Sequence, residues 1–198
     1  MPVLDFWFDF ASGYSYPAAM RIAPLAATAG VAVRFRPFLL GPIFKAHGWD
    51  TSPFNLYPAK GRNMWRDLER VCGDLALAFR RPDPFPQWSL LPARVALVGL
   101  AEAWGEDFCR SIFHAQFGEG RRIDDVATIA RVLARLGADA DRALAAARSE
   151  PIKTRLRQQV DEARQIGLFG APSFVTADGE LFWGNDRLER ALRWAKEL

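Results

Sequence analysis

Residues 3–36, VLDFWFDFASGYSYPAAMRIAPLAATAGVAVRFR, decide the fold, because their apolar pattern changes period twice. Residues 3–10 alternate as in a β-strand, with these side chains on one face: Leu4, Phe6, Phe8 and Phe10. Residues 15–29 then carry apolar side chains at helical spacing, and Gly30 follows as a natural helix terminator. Residues 31–36 alternate again, so the stretch predicts a parallel β-α-β unit.

The C-terminal end of the chain returns to β-structure. Residues 173–176 and 180–183 are short apolar runs, and a glycine-containing turn, Ala177-Asp178-Gly179, joins them. A final helix is predicted over residues 187–197. The two ends of the chain therefore contribute strands and helices to one sheet.

The long middle of the chain is predicted to be helical. One amphipathic segment has apolar residues at helical spacing: Trp65, Leu68, Cys72 and Leu75. Further helices are predicted at about 89–103, 106–117, 124–136, 139–148 and 151–166, with glycines between several of them.

The predicted fold class is α/β, a thioredoxin-like fold (βαβ…ββα) with a large all-helical insertion domain. Residues 1–40 and 167–198 are predicted to form the thioredoxin-like domain, and residues 41–166 the helical insertion domain.

Composition excludes several classes of protein. Half of the 198 residues are hydrophobic, which is enough for one large core or two interlocked ones. The formal net charge is +3, but basic and acidic residues alternate, so no nucleic-acid partner is expected. No apolar run reaches the ~20 residues that cross a bilayer, and the start of the chain does not resemble a signal peptide. A soluble, cytoplasmic protein without a membrane partner is expected.

The thiols and imidazoles do not indicate a metal or disulfide site. Cys72 and Cys109 form neither a C-x-x-C motif nor a zinc-ligand spacing, so we expect both to be buried and reduced. His47 and His114, the two histidines of the chain, are expected on the surface or in structural roles.

Two loops are candidates for the functional site. Ser12 lies between the first strand and the first helix, where the helix N-terminus favours an anion. Pro172 immediately precedes a strand and is predicted to follow a cis peptide bond. In a thioredoxin fold these loops face each other, and the residue before the cis-proline offers its backbone to a peptide-like ligand such as glutathione. Taken singly, Ser12 is also compatible with an ordinary helix N-cap and Pro172 with a turn proline.

Five ordered motifs carry a resemblance to a known family: FDFASGYSY, PAKGRNMWRDLER, RPDPFPQ, GAPSF and FWGNDRL. They resemble the 2-hydroxychromene-2-carboxylate isomerases, which are related to kappa-class glutathione transferases and bacterial disulfide oxidoreductases. The resemblance implies glutathione as cofactor, a homodimer, and Ser12 as the catalytic residue that contacts the glutathione sulfur.

The resemblance also implies roles for other residues. Ala171 and Pro172 would contact the glutathione backbone, and Asn185, Asp186 and Arg187 would surround its γ-glutamyl end. Lys45, Asn55 and Gln87 would approach a small aromatic carboxylate substrate. Three aromatic residues are candidates to line its pocket: Phe54, Trp65 and Trp88. This chain departs from the family pattern at Gly13, where a proline is usual, and at Pro17, where leucine is expected.

The implied reaction interconverts 2-hydroxychromene-2-carboxylate and trans-o-hydroxybenzylidenepyruvate through transient addition of a glutathione thiolate. Two alternatives remain open: a kappa-like transferase that conjugates glutathione to electrophiles, and a non-catalytic thioredoxin-like domain that binds glutathione or peptides. Disulfide exchange is excluded at this loop, because serines stand at positions 12 and 15.

Overall fold

The computed structural model describes all 198 residues and contains one four-stranded sheet in the order β2-β1-β3-β4. The strands are β1 (Val3–Phe8), β2 (Ala32–Pro37), β3 (Ser173–Thr176) and β4 (Leu181–Trp183). β1 pairs with β2 in parallel, whereas β3 is antiparallel to both β1 and β4. The predicted β-α-β unit and the C-terminal strand pair are confirmed.

Ten α-helices surround the sheet. They are α1 (Ser15–Ala29), α2 (Leu40–Ala46), α3 (Pro53–Leu56), α4 (Pro58–Asp74), α5 (Leu90–Gly99), α6 (Gly105–Phe113), α7 (Val126–Arg135), α8 (Ala140–Ala147), α9 (Glu150–Ile166) and α10 (Leu188–Lys196). A π-helix, His114–Gly118, continues α6, and a 3₁₀ turn, Asn185–Arg187, precedes α10. The helix predicted over residues 106–117 therefore changes its hydrogen-bond pattern at His114.

Helices cover both faces of the sheet. On one face the alternating side chains of β1 pack with α1 and α10, as the pattern predicted, and Phe6 and Phe8 are fully buried. On the other face Trp7 is also fully buried, in a second cluster with Phe38 and with residues of α2 and α9. The sequence of β1 predicts one buried face, but both faces are buried, because α9 packs across the second face of the sheet.

The helical segment shares its core with the sheet. Phe113 of α6 packs against Phe8 and Phe10, with ring centroids 5.6 and 4.9 Å apart. Leu68 of α4 belongs to the same buried cluster. The division into residues 1–40 with 167–198 and residues 41–166 stays a prediction, and the two parts meet in one continuous apolar core.

Both cysteines are buried and free, as predicted. Burial raises the pKa of the Cys72 thiol to about 11 and that of Cys109 further. Neither thiol is therefore reactive at neutral pH. None of the helices combines the length and apolar character that crossing a membrane requires.

Candidate active site

The two candidate loops meet in the structure. The Ser12 hydroxyl donates a hydrogen bond of 2.8 Å to the carbonyl oxygen of Ala171, although the two residues are 159 positions apart. The peptide bond between Ala171 and Pro172 is cis, as the sequence predicted. Ser12 is 9% exposed, so its oxygen lies at the edge of the interior next to the cis-prolyl loop.

Ser12 does not act as an ordinary helix cap. The N-cap of α1 is Tyr14, and no side chain accepts a hydrogen bond from the first turn. That turn also contains no acidic residue of its own. The N–H of Gly13, just before the helix, makes no hydrogen bond within the chain. The loop therefore presents a hydroxyl and a free backbone donor at a positive helix end.

A buried carboxylate holds this loop in place. Asp9 is 3% exposed, and its two oxygens accept hydrogen bonds from the N–H groups of Ala11 at 2.9 Å and Leu40 at 2.7 Å. Burial raises the pKa of Asp9, although these hydrogen bonds act in the opposite direction. Asp9 thereby ties the Ser12 loop to the start of α2. Sequence analysis missed this residue, and its one signal was an acid directly after strand β1.

Helix α4 supports the loop from the other side. The Tyr14 hydroxyl donates to a carboxylate oxygen of Asp67 at 2.9 Å. A Cβ atom on Gly13 would lie 2.6 Å from Cδ1 of Leu68. Leu68 thus occupies the space that any side chain at position 13 would need. Glycine at this position, where the resemblance implies proline, therefore leaves room for Leu68.

The turn that follows β4 lies beside the cis-prolyl loop. The N–H of Gly184 donates to the carbonyl of Pro172 at 2.9 Å, which brings residues 185–187 close to Ala171. Asn185 is buried, and Arg21 of α1 donates to its side-chain oxygen at 3.2 Å and to its backbone oxygen at 2.6 Å. Arg21 also pairs with Glu189. The turn is therefore fixed by an arginine that sequence analysis did not single out.

The exposed members of the turn are its two charged residues. Asp186 and Arg187 both extend into solvent, and Nη1 of Arg187 lies 3.4 Å from Oδ2 of Asp186. Their charges are accessible to a ligand that binds along the cis-prolyl loop.

The three predicted substrate residues lie on other elements. Lys45 is exposed on α2, and Asn55 is exposed on α3, where its amide donates to Thr51 at 3.1 Å. Gln87 is buried, and its side-chain oxygen accepts a hydrogen bond of 2.9 Å from the N–H of Ile123. None of the three forms a hydrogen bond with the Ser12 loop or the cis-prolyl loop.

The candidate pocket aromatics differ in environment. Trp65 is buried against Phe85, with ring centroids 4.6 Å apart, and belongs to the core. Phe54 is partly buried beside Tyr14, whereas Trp88 is 77% exposed. A further aromatic pair lies next to the cis-prolyl loop and was not predicted: Phe169 and Trp183, half-exposed, with ring centroids 5.0 Å apart.

Comparison with known proteins agrees with this architecture. The family described as the DSBA-like thioredoxin domain matches residues 3–193. A 2-hydroxychromene-2-carboxylate isomerase from Sphingobium xenophagum is 30% identical over 190 residues, which cover 94% of each chain. A glutathione S-transferase kappa 2 from Caenorhabditis elegans is 26% identical, covering 98% of this chain and 92% of that one.

Structural comparison gives the same result. A solved structure of a 2-hydroxychromene-2-carboxylate isomerase superposes with a TM-score of 0.84 at 28% identity, covering 94% of this chain and 90% of that one. The chain therefore belongs to the DSBA-like thioredoxin domain family and, within it, to the family of the 2-hydroxychromene-2-carboxylate isomerases.

Proposed function

We propose that this protein is a glutathione-dependent isomerase that interconverts 2-hydroxychromene-2-carboxylate and trans-o-hydroxybenzylidenepyruvate, a reaction of aromatic catabolism. The observation that carries the proposal is the position of the Ser12 hydroxyl, 2.8 Å from the Ala171 carbonyl and beside the open N-terminus of α1. Membership of the isomerase family supports the reaction, and the kappa-class relative supports glutathione as the thiol.

The residues of this site fit a peptide-like thiol. The N–H groups of Gly13 and Ala171 make no hydrogen bonds within the chain, so both are available to a ligand. The N-terminus of α1, whose first turn holds no acidic residue, favours a thiolate over a thiol. Asp186 and Arg187 offer opposite charges to the amino and carboxylate groups at the γ-glutamyl end of the tripeptide.

When bound, glutathione would supply a thiolate that adds to the conjugated carbon of the substrate, permits rotation about the former double bond and then leaves. The Ser12 hydroxyl would donate a hydrogen bond to that sulfur. The hydroxyl can donate one hydrogen bond, and in this structure it donates that bond to the Ala171 carbonyl. Ser12 must therefore rotate when the thiol binds, exchanging one hydrogen bond for a charge-assisted one. Each unit by which the thiol pKa falls corresponds to about 1.4 kcal/mol of preferential stabilisation of the thiolate.

The substrate would lie between the glutathione site and the helical segment. Lys45 and Asn55, exposed on α2 and α3, would bind the pyruvate carboxylate and stabilise negative charge on the enol oxygen. Gln87 would contribute its amide nitrogen, which is buried without a hydrogen-bond partner. Phe169 and Trp183 offer an aromatic face next to the cis-prolyl loop. Phe169 lies two residues before Ala171, and Trp183 pairs with Ser173 across the sheet.

The proposal is tested by following the absorbance of 2-hydroxychromene-2-carboxylate with purified protein, with and without glutathione. Isomerisation that needs only catalytic amounts of glutathione supports it. Stoichiometric loss of glutathione would indicate a kappa-like transferase instead, and binding without turnover would indicate a non-catalytic domain.

The role of Ser12 is tested separately. Ser12→Ala should lower kcat by about 10²-fold if the hydroxyl stabilises the thiolate in the transition state. Ser149→Ala is the matched control, because Ser149 precedes α9 and its side chain caps nothing there. An unchanged rate in Ser12→Ala would remove the hydroxyl from the mechanism.

A further inference from the structure

A second concave site lies away from the Ser12 loop. It is a cavity of about 360 Å³ between α1, α6, the π-helix and α7, which we call the α6–α7 cavity. None of the residues of the candidate active site lines it. Its volume is within the range of small-molecule sites, about 300–1,000 Å³, and exceeds what a bare phosphate ion fills.

The charges that line the α6–α7 cavity are unbalanced. Four arginines line it, Arg110, Arg121, Arg131 and Arg135, together with one carboxylate, Glu119. Arg110 is neutralised on its own helix by Glu106 at 3.4 Å and Asp107 at 2.8 Å. For the other three guanidinium groups the cavity lining contains a single carboxylate.

Glu119 is already engaged. It forms an ion pair with Arg121, lies 4.0 Å from Arg135, and lies 3.9 Å from Nε2 of His114. The pKa of Glu119 is lowered, chiefly by its hydrogen bond from Arg121. The carboxylate is therefore ionised at neutral pH, and even so it offsets only one of the three positive charges.

Arg131 is the least compensated of these arginines. It forms no ion pair, and its guanidinium donates only to the hydroxyl of Thr128, at 3.1 Å. Asp125, whose pKa Arg131 helps to lower, already accepts hydrogen bonds from the N–H groups of Ala127 and Thr128 at the start of α7. Arg131 and Arg135 are four residues apart on one helix, a spacing at which like charges repel.

A guanidinium group that lines a concave site is suited to bidentate binding of a phosphate. Confinement of several positive charges in one cavity also concentrates anions there. Three apolar residues also line the cavity, Met20, Ala115 and Val132, and they suit an organic body attached to the charged group. The α6–α7 cavity thus offers arginines to the phosphate group of a phosphate monoester and apolar side chains to its organic group.

The π-helix fixes one wall of the cavity. A Cβ atom on Gly118 would lie 2.5 Å from Nδ1 of His114, so the ring packs directly on the glycine. The same nitrogen lies 3.5 Å from the hydroxyl of Tyr16, whose backbone N–H donates to the carbonyl of Gly13 at 3.2 Å. A ligand in the cavity would therefore contact His114, which lies beside Tyr16 near the start of α1. Local π-helices are frequent at functional sites.

Because its lining combines several arginines, a single carboxylate and three apolar side chains, we propose that the α6–α7 cavity binds a small phosphate monoester. Arg131 and Arg135 bind the phosphate, and Met20 and Val132 contact the organic part. The site is independent of glutathione and of the isomerase reaction.

The test uses the full-length protein and AMP as the probe phosphate monoester, with adenosine and inorganic phosphate as partial probes. The chain has two histidines, so imidazole proton resonances report binding directly. AMP should shift the His114 resonances and leave those of His47 unchanged. Adenosine should produce no shift, and inorganic phosphate should bind more weakly than AMP.

Variants then locate the site. Arg131→Ala and Arg135→Ala should each weaken AMP binding by about 10-fold or more at low ionic strength, since each removes a charge-assisted contact. Arg142→Ala is the control, because that arginine is equally exposed and pairs with Glu102 outside the cavity. Both tested arginines are on the surface, so the variants are expected to fold.

Three results would overturn the proposal. One is the absence of any His114 shift at millimolar AMP, and another is equal binding of adenosine and AMP. The third is an affinity for AMP that is the same in Arg131→Ala, Arg135→Ala and Arg142→Ala.

Discussion

Gly13→Ala tests how the helical segment shapes the Ser12 loop. The added Cβ atom would lie 2.6 Å from Cδ1 of Leu68, a fully buried side chain, so either Leu68 or the loop must move. Overpacking of this kind costs about 1–3 kcal/mol, and the reduced freedom of the unfolded chain offsets about 0.4–1 kcal/mol. The net expectation is a loss of about 1–2 kcal/mol in the free energy of unfolding, measured by urea denaturation.

Leu68→Ala supplies the second side of a double-mutant cycle. Alone it should destabilise the protein by about 2–5 kcal/mol, because it leaves a cavity. In its presence Gly13→Ala should become neutral or slightly stabilising, so the two changes should couple by about 1–3 kcal/mol.

Gly73→Ala is the matched control for this cycle. Gly73 lies on α4, the helix that carries Leu68, and a Cβ atom there would meet nothing within 4 Å. This substitution should stabilise the helix by about 0.5–1 kcal/mol in either background. Equal effects of Gly13→Ala with and without Leu68 would refute the packing explanation for glycine at position 13.

Two further outcomes follow from residues that hold the site. Burial raises the pKa of Asp9 in the native state above its value in the unfolded chain, about 4. This difference lowers the free energy of unfolding at neutral pH, and the loss disappears as the pH falls toward about 4. The stability of the native protein relative to Asp9→Asn should therefore increase on acidification, and urea denaturation at several pH values would show no such trend if Asp9 were exposed. Arg21→Ala should free the turn at Asn185, and on the proposed function it should raise the KM for glutathione more than it lowers kcat; an unchanged KM in steady-state assays would mean that the turn does not bind glutathione.

The elements near the chain ends could be predicted because their patterns are local. Alternation in residues 3–10 and helical spacing in residues 15–29 depend only on neighbours in sequence, and the strand and helix lie there. The strand ends at Phe8, two residues earlier than the alternation, yet Phe10 remains buried because Phe113 packs against it. The cis bond before Pro172 could be predicted because a tight turn has to deliver the chain to the strand that follows directly.

Several features that sequence reasoning missed depend on contacts between distant residues. Asp9 reaches the N–H of Leu40, 31 positions away, and Arg21 reaches Asn185, 164 positions away. The close approach of Leu68 to Gly13 depends on how α4 packs, which no local period encodes. Burial of Trp7 likewise follows from the return of α9 across the second face of the sheet.

These long-range contacts bear on the predicted division of the chain. Residues 1–40 and 167–198 contain every strand, but the loop that carries Ser12 is held by Asp67 and Leu68, which lie in the helical segment. The aromatic face of β1 is covered there too, by Phe113. Removing residues 41–166 would expose that face and release Tyr14 from Asp67. The helical segment is therefore part of what positions Ser12 against Ala171, because the same side chains close the core and define the space around Gly13.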